Sequence, residues 1–285
     1  MQGTIEVSDM KGVAADIACD RFSDGGWVRT KAHVPSEMQL EIYVNGQELV
    51  TIQCTPIKLN CLVIGFLYAE GIISGIDEVP IMRMCEDDSL ADVRLSNPDY
   101  KLPARKKTLT SGCGGGAAFK TEGEKVNSGL VVTPTEVLSL MKQLIEHMEL
   151  YRLSGGVHAS ALTDTKNLIV VAEDIGRHNT LDKIQGECLA TGVSTKDRLL
   201  LTTGRVSSEM LLKAAKMQAP IVVSRHSPTS GAVSLGRELG ITLVGYARRT
   251  SLTVYSHPER LGRSPSEVQQ PGPTRVSHTQ QNQLR

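Results

Sequence analysis

Two kinds of residue in this sequence could do chemistry: one thiol and a series of arginines. The thiol is Cys113, in Arg105-Lys106-Lys107-Thr108-Leu109-Thr110-Ser111-Gly112-Cys113-Gly114-Gly115-Gly116. Ser111-Gly112 and the three glycines after the cysteine leave the backbone free to take positive φ. No bulky neighbour in sequence shields the sulfur. The cations just upstream favour thiolate over thiol, and thiolate is the nucleophile. Two readings fit this segment on its own: a reactive thiol, or a glycine linker holding an incidental cysteine.

The arginines recur at the ends of short apolar runs. Val170-Val171-Ala172 is followed by Glu173-Asp174-Ile175-Gly176-Arg177-His178-Asn179. Leu200-Leu201-Thr202 is followed by Thr203-Gly204-Arg205-Val206-Ser207-Ser208-Glu209. Val222-Val223 leads into Ser224-Arg225-His226-Ser227-Pro228-Thr229-Ser230, and Val244 into Gly245-Tyr246-Ala247-Arg248-Arg249. In open α/β sheets, ligands bind beyond the carboxyl ends of the strands. Several guanidinium groups on one such edge repel each other unless anions sit between them. Helix starts at Ser207-Ser208 and Thr229-Ser230 would add free backbone N–H donors. The expected ligand is polyanionic, a pyrophosphate or nucleotide-like group. The competing reading pairs these arginines with Glu173, Asp174, Glu209 and Glu238 as structural ion pairs.

Two histidines, His178 and His226, lie in the same stretches, and a third, His158, in Gly155-Gly156-Val157-His158-Ala159-Ser160. A zinc deaminase needs His-x-Glu followed by Pro-Cys-x-x-Cys. After His158 the Glu position is Ser160, and no Cys-x-x-Cys occurs anywhere in the chain, so that chemistry is excluded. His178 and His226 read as ligand contacts or structural groups rather than bases. No Gly-x-x-x-x-Gly-Lys-Ser/Thr loop is present, which argues against nucleotide hydrolysis of the P-loop kind. No metal site is expected.

The elements that must position these residues fall into two patterns. Residues 41–52 form two β-rich runs around Asn45-Gly46, the favoured two-residue type I′ turn. A helix is expected over 59–70 with Gly71 at its C-terminal cap, then two short strands within 78–96. One or two strands are expected before residue 36. From about residue 133 helices and strands alternate. Helices are expected near 135–150, 179–191, 207–218 and 231–239, and strands near 157–163, 168–172, 198–202, 221–224 and 241–246. That alternation predicts an α/β domain with a mostly parallel sheet covered on both faces. The expected organisation is an N-terminal α+β domain over 1–104, a mobile cysteine loop over 105–128, an α/β domain over 129–262, and a disordered Gln-, Ser- and Pro-rich tail over 263–285.

Composition limits the classes further. The 285 residues carry 31 Lys+Arg against 31 Asp+Glu, which argues against a dedicated nucleic-acid binder. Aromatic content of 4% is poor material for base stacking. There is no apolar run of about 18 residues to span a membrane, and no apolar secretory stretch near the N-terminus. The six cysteines are scattered, which suits a reduced, cytoplasmic setting.

Taken together, the motifs resemble the formate dehydrogenase accessory sulfurtransferase family, FdhD, over about residues 40–260. The pieces are Gly65-Phe66-Leu67-Tyr68-Ala69-Glu70-Gly71-Ile72-Ile73, Thr110-Ser111-Gly112-Cys113-Gly114, Gly155-Gly156-Val157-His158, and the four Arg-bearing segments above with Asn179-Thr180-Leu181-Asp182-Lys183 and Met210. The resemblance implies a cytidine-deaminase-like three-layer domain, a homodimer and a cytoplasmic location. It implies a carrier that accepts sulfur from a cysteine desulfurase as a persulfide. The sulfur then passes to the molybdenum or tungsten of a bis-molybdopterin guanine dinucleotide cofactor, bound as substrate before it enters formate dehydrogenase. The family's persulfide cysteine maps onto Cys113. Its cofactor-binding stretch maps onto Tyr246, Ala247, Arg248, Arg249, Thr250 and Ser251, beside the cleft expected from Arg177, His178, Arg205, Ser207 and Arg225. Many relatives have Cys-x-x-Cys where this chain has Gly116, so the relay would rest on one thiol. The alternative class is a chaperone that binds the cofactor without covalent chemistry.

Overall fold

The structure is a computed structural model, and it describes residues 12–102, 108–109, 117–118 and 123–263. The chain opens with a ribbon of β1 (Ala14–Ser23) and β2 (Gly26–Pro35), joined at Asp24 and Gly25, both at positive φ. Next come β3 (Met38–Val44) and β4 (Gln47–Cys54), joined by the Asn45-Gly46 turn at φ 50° and 80°. Those angles are what a type I′ turn requires, and its twist matches that of the strands. Then follow α1 (Leu59–Ala69), β5 (Ile81–Met84) and β6 (Leu90–Arg94). The four strands lie in the order β4-β3-β6-β5, and their apolar face packs on α1 through Leu40, Ile42, Leu62, Phe66 and Val93.

A two-residue ladder joins β7 (Thr108–Leu109) and β8 (Ala117–Ala118). The residues between them, Cys113 included, lie outside the described residues, as do 264–285.

The larger sheet is built from β9 (His158–Thr163), β10 (Leu168–Asp174), β11 (Leu199–Thr202), β12 (Ile221–Ser224), β13 (Thr242–Arg248) and β14 (Ser251–Ser256), in the order β10-β9-β11-β12-β13-β14. On one face lie α4 (Arg177–Thr191), α5 (Ser208–Lys216) and α6 (Ser230–Leu239), packing Leu181, Ile184, Met210 and Ala232 onto Leu162, Leu200 and Val222. On the other lies α2 (Pro134–Glu146), whose Val137, Leu140 and Leu144 meet Ala161, Leu199, Leu201 and Val223. Both faces of the strands are therefore apolar, as the uninterrupted runs in the sequence require.

The sheet is mixed, not mostly parallel. Only β11, β12 and β13 run parallel, while β9, β10 and β14 join antiparallel. The reason is connection length. Residues 164–167 and the Arg249-Thr250 turn are too short for a parallel crossover, which takes a dozen residues or more. Two boundaries also differ from expectation. The cap of α2 is Thr133, in a reciprocal capping box with Glu136, and the helix stops at His147 before a separate α3 (Glu149–Ser154).

The two sheets are held together through α1 and α4, which cross at glycines. A Cβ on Gly65 would lie 1.8 Å from the Asp182 carbonyl oxygen, and one on Gly186 1.9 Å from that of Cys61. Only glycine permits this approach of backbones.

Candidate functional site

Strand direction decides where the arginines go. β10 and β11 are both antiparallel to β9, and β11, β12 and β13 are parallel. The carboxyl ends of β10, β11, β12 and β13 thus share one edge with the amino end of β9. The pairs Asp174↔His158, Ser160↔Thr202 and Thr202↔Ser224 mark that edge.

Small hydroxyls fix the turns there. Ser160 Oγ lies 2.7 Å from Thr180 Oγ1 and donates to Thr202 Oγ1 at 3.0 Å. Thr202 Oγ1 accepts from the Gly204 N–H at 3.1 Å, and Ser224 Oγ donates to the Gly204 carbonyl at 2.7 Å. The Ser224 oxygen also accepts from the His226 N–H at 2.9 Å. These are the Ser and Thr residues that recur beside the arginines in sequence. Gly204 has a further role, because a Cβ there would lie 2.9 Å from Arg177 Cβ.

The charged groups then gather in two neighbouring sets. In the first, Arg177 and His178 open α4, and His178 Nε2 lies 3.2 Å from Ser207 Oγ and 3.5 Å from Glu209 Oε2. Ser207 caps α5 by accepting from the Met210 N–H. Burial pushes His178 down to about 3, helped by Lys213, Arg177, His158 and Arg205. In the second set, Arg248 Nε donates to the Arg225 carbonyl at 2.8 Å, and its Nη2 lies 3.3 Å from His226 Nδ1. The Arg248 guanidinium also sits 6.0 Å from the Tyr246 ring centre, in cation–π range. His226 is lowered by burial, then by Arg248 and Arg225. His158 links the sets: burial, Arg177 and His226 all lower it. The guanidiniums and imidazole of the second set offer an anion donors, whereas the first set holds the Glu209 carboxylate beside His178 and near Arg177.

Of the carboxylates suggested as partners, Glu173 and Asp174 are engaged elsewhere, while Glu209 stays at the site. Glu173 accepts from the Leu150 and Tyr151 N–H groups, both at 2.9 Å, at the start of α3. Asp174 is paired with Lys183, and Glu209 faces His178. Among the described residues Arg205, Arg225 and Arg248 form no ion pair, and Arg225 Nε is buried with no hydrogen-bond partner. A cleft of about 300 Å³ opens at this edge, lined by His158, Thr203, Arg225, His226, Tyr151 and Gly156 among others; of the expected binding residues Arg225 lines it, while Arg177, His178, Arg205, Ser207 and Arg248 lie outside its lining.

The Tyr246–Ser251 stretch, expected as one binding segment, divides. Tyr246 is exposed at φ 53°, and Ala247 is fully buried in the core under the sheet. Arg248 joins Arg225, while Arg249, at φ 50°, Thr250 and Ser251 form the exposed turn into β14. Sequence reasoning missed the α3 contribution of Met148 and Tyr151; Gly155, at φ 71°, was the available signal that the chain turns back there. Cys113 lies outside the described residues. Among the other cysteines, burial pushes Cys54 and Cys188 up to about 12 and raises Cys61, so these stay thiols. No group of His, Cys, Asp and Glu able to hold a metal occurs among the described residues.

Fold and edge define a mixed α/β protein whose strand ends carry arginines beside a cleft. The chain belongs to the FdhD/NarQ family, whose sequence pattern matches residues 35–262. It is 40% identical over 249 residues to the sulfur carrier protein FdhD of Bacillus subtilis (strain 168), covering 85% of this chain and 95% of that one. It is 36% identical over 248 residues to the protein of the same name from Staphylococcus aureus (strain MRSA252), covering 85% and 94%. A crystal structure from Desulfotalea psychrophila, described as a formate dehydrogenase accessory protein, superposes with a TM-score of 0.75 at 26% identity, covering 87% of this chain and 99% of that one. No helix among the described residues is long and apolar enough to cross a membrane.

Proposed function

We propose that this protein is a sulfur carrier for formate dehydrogenase, with Cys113 as the carrier thiol and the cationic cleft as the seat of the metal cofactor. The observation that carries the reading is the edge itself. Arg205, Arg225 and Arg248 stand there without carboxylate partners among the described residues, next to imidazoles held neutral. Such an edge suits the pyrophosphates of a bis-molybdopterin guanine dinucleotide, which here is substrate. The relatives' name supplies the sulfur.

In the relay, the Cys113 thiolate attacks the terminal sulfur of a cysteine desulfurase persulfide. A new S–S bond forms on Cys113, the donor S–S bond breaks, and the donor leaves as thiolate with no net oxidation. The S–S bond on Cys113 then breaks, Cys113 leaves as thiolate, and the outer sulfur becomes a ligand of the molybdenum or tungsten, which as the substrate supplies the two electrons that bring it to the sulfide level. Gly116 leaves this to one thiol. A homodimer in the cytoplasm, with a cytidine-deaminase-like second domain, completes the reading.

The test is mass spectrometry of the chain after incubation with a cysteine desulfurase and cysteine. The relay gives a gain of about 32 Da, one sulfur atom, reversed by reductant and lost in Cys113→Ala. Cys113→Ala should also leave formate dehydrogenase inactive while GDP still binds. A fully active dehydrogenase with that variant would instead support the non-covalent chaperone, which needs only the cleft.

A further inference from the structure

The buried Asp174 carboxylate ties the two sheets together at the point where the cleft begins. Its Oδ1 accepts from the Gly176 N–H at 2.7 Å and from Asn179 Nδ2 at 2.8 Å, both in the entry to α4. Its Oδ2 accepts from the Thr55 N–H at 3.1 Å and from Lys183 Nζ. Thr55 follows β4, in the other sheet. The tie is reciprocated: the Ile175 N–H donates to Thr55 Oγ1 at 3.1 Å, Lys183 Nζ to the Thr55 carbonyl at 3.1 Å, and Asn179 Nδ2 to the Gln53 carbonyl at 2.8 Å. Asp174 and Lys183 are fully buried.

What this holds is the first turn of α4. Arg177 and His178 sit between Gly176 and Asn179, the two residues whose donors Asp174 accepts. The turn has no side-chain cap of its own, since its N-cap is Gly176. A first turn whose own cap is missing frays unless something else fixes it. Here that is a carboxylate on the strand before it, braced by the opposite sheet. The same brace sets how the N-terminal sheet, from which the chain runs on toward Cys113, stands against the cleft.

We propose that Asp174, braced by Lys183 and Thr55, is a positioning residue that holds Arg177 and His178 in their ligand-receiving geometry. The proposal rests on the cleft being the anion site, and its test separates the two claims. The probe is GDP, titrated calorimetrically into the full-length chain. Asp174→Asn should weaken GDP about tenfold, yet cost nothing further in a background carrying both Arg177→Ala and His178→Asn, because a residue acting through those two is silent once both are gone. Full additivity, or lost thermal stability with unchanged affinity, would overturn it.

The second readout needs no ligand. The imidazole ¹⁵N shifts of His178 should move in Asp174→Asn and, where that variant does not fold, in Thr55→Val, which changes no charge, keeps the backbone bonds of Thr55 to Asp174 and Lys183, and removes the hydroxyl that accepts from the Ile175 N–H. Unmoved shifts would overturn the positioning role. If the unmodified chain binds no GDP, the cleft reading fails, and the His178 shifts alone decide the proposal.

Discussion

Gly65 and Gly186 meet face to face where α1 crosses α4, each against the other helix's backbone. The Asp182 carbonyl oxygen occupies the space of a Cβ on Gly65, and the Cys61 carbonyl that of a Cβ on Gly186. The contact joins the helix that covers the four-stranded sheet to the helix that carries Arg177 and His178. The distance of the cleft from the N-terminal sheet is thus set by two hydrogen atoms.

A methyl group at either glycine must therefore displace backbone, not a side-chain tip. Gly65→Ala and Gly186→Ala should each destabilise the protein by on the order of 3 kcal/mol, as overpacking with backbone movement does. Urea unfolding checks this. A loss below about 1 kcal/mol would mean the helices separate freely.

Lys213 and Asp182 form a second buried pair, with both Asp182 oxygens 2.6 Å from Nζ. Burial alone would lower the Lys213 ammonium, but the charge and hydrogen bonds of Asp182 raise it above its ordinary value. Removing one partner strands the other charge. Lys213→Met should cost about 3–5 kcal/mol, and Lys213→Met with Asp182→Leu should recover most of it. Chemical denaturation of the three variants measures the difference.

These long-range pairings mark the limit of the sequence. The Asn45-Gly46 turn was legible because the two residue types report backbone angles directly. The strand ends were legible because β11 and β12 are apolar on both faces and then stop at Thr202 and Ser224. β14 was not, because it follows β13 after only the Arg249-Thr250 turn, begins at the polar Ser251, and pairs with its partner through register shifts. The β1–β2 ribbon was vague for a related reason: most of its side chains are exposed, so it carries no apolar period. The arginines were found by type. That Glu173, Asp174 and Glu209 turn to α3, Lys183 and His178 could not be, since Asp174 reaches Thr55 across 119 positions.

His178 predicts a pH dependence of stability. Its value in the folded protein is about 3, against about 6.5 when unfolded. Between those values the unfolded chain binds a proton that the folded chain does not. Stability contributed by the neutral ring is therefore complete above about pH 6.5 and declines as pH falls, with a limiting slope of about 1.4 kcal/mol per unit. His178→Asn should flatten that slope. Urea midpoints from pH 7 down to pH 4.5 test it, and equal slopes in both proteins would exclude the assignment.

His226 predicts proton uptake on ligand binding. In the free protein Arg248 and Arg225, after burial, lower its affinity for a proton. An anion seated between those guanidiniums offsets their charge, so the imidazole's pKa rises as the ligand binds. The complex then holds more protons than the free protein, and linkage requires affinity to fall as pH rises through the ordinary histidine range, by at most about tenfold per unit. Calorimetry of GDP binding near pH 6, in buffers of different ionisation enthalpy, should show fractional proton uptake. Arg248→Ala should weaken binding and reduce the uptake together, whereas His226→Gln should reduce the uptake with a smaller loss of affinity. Uptake that persists undiminished in His226→Gln would place the anion away from Arg225 and Arg248.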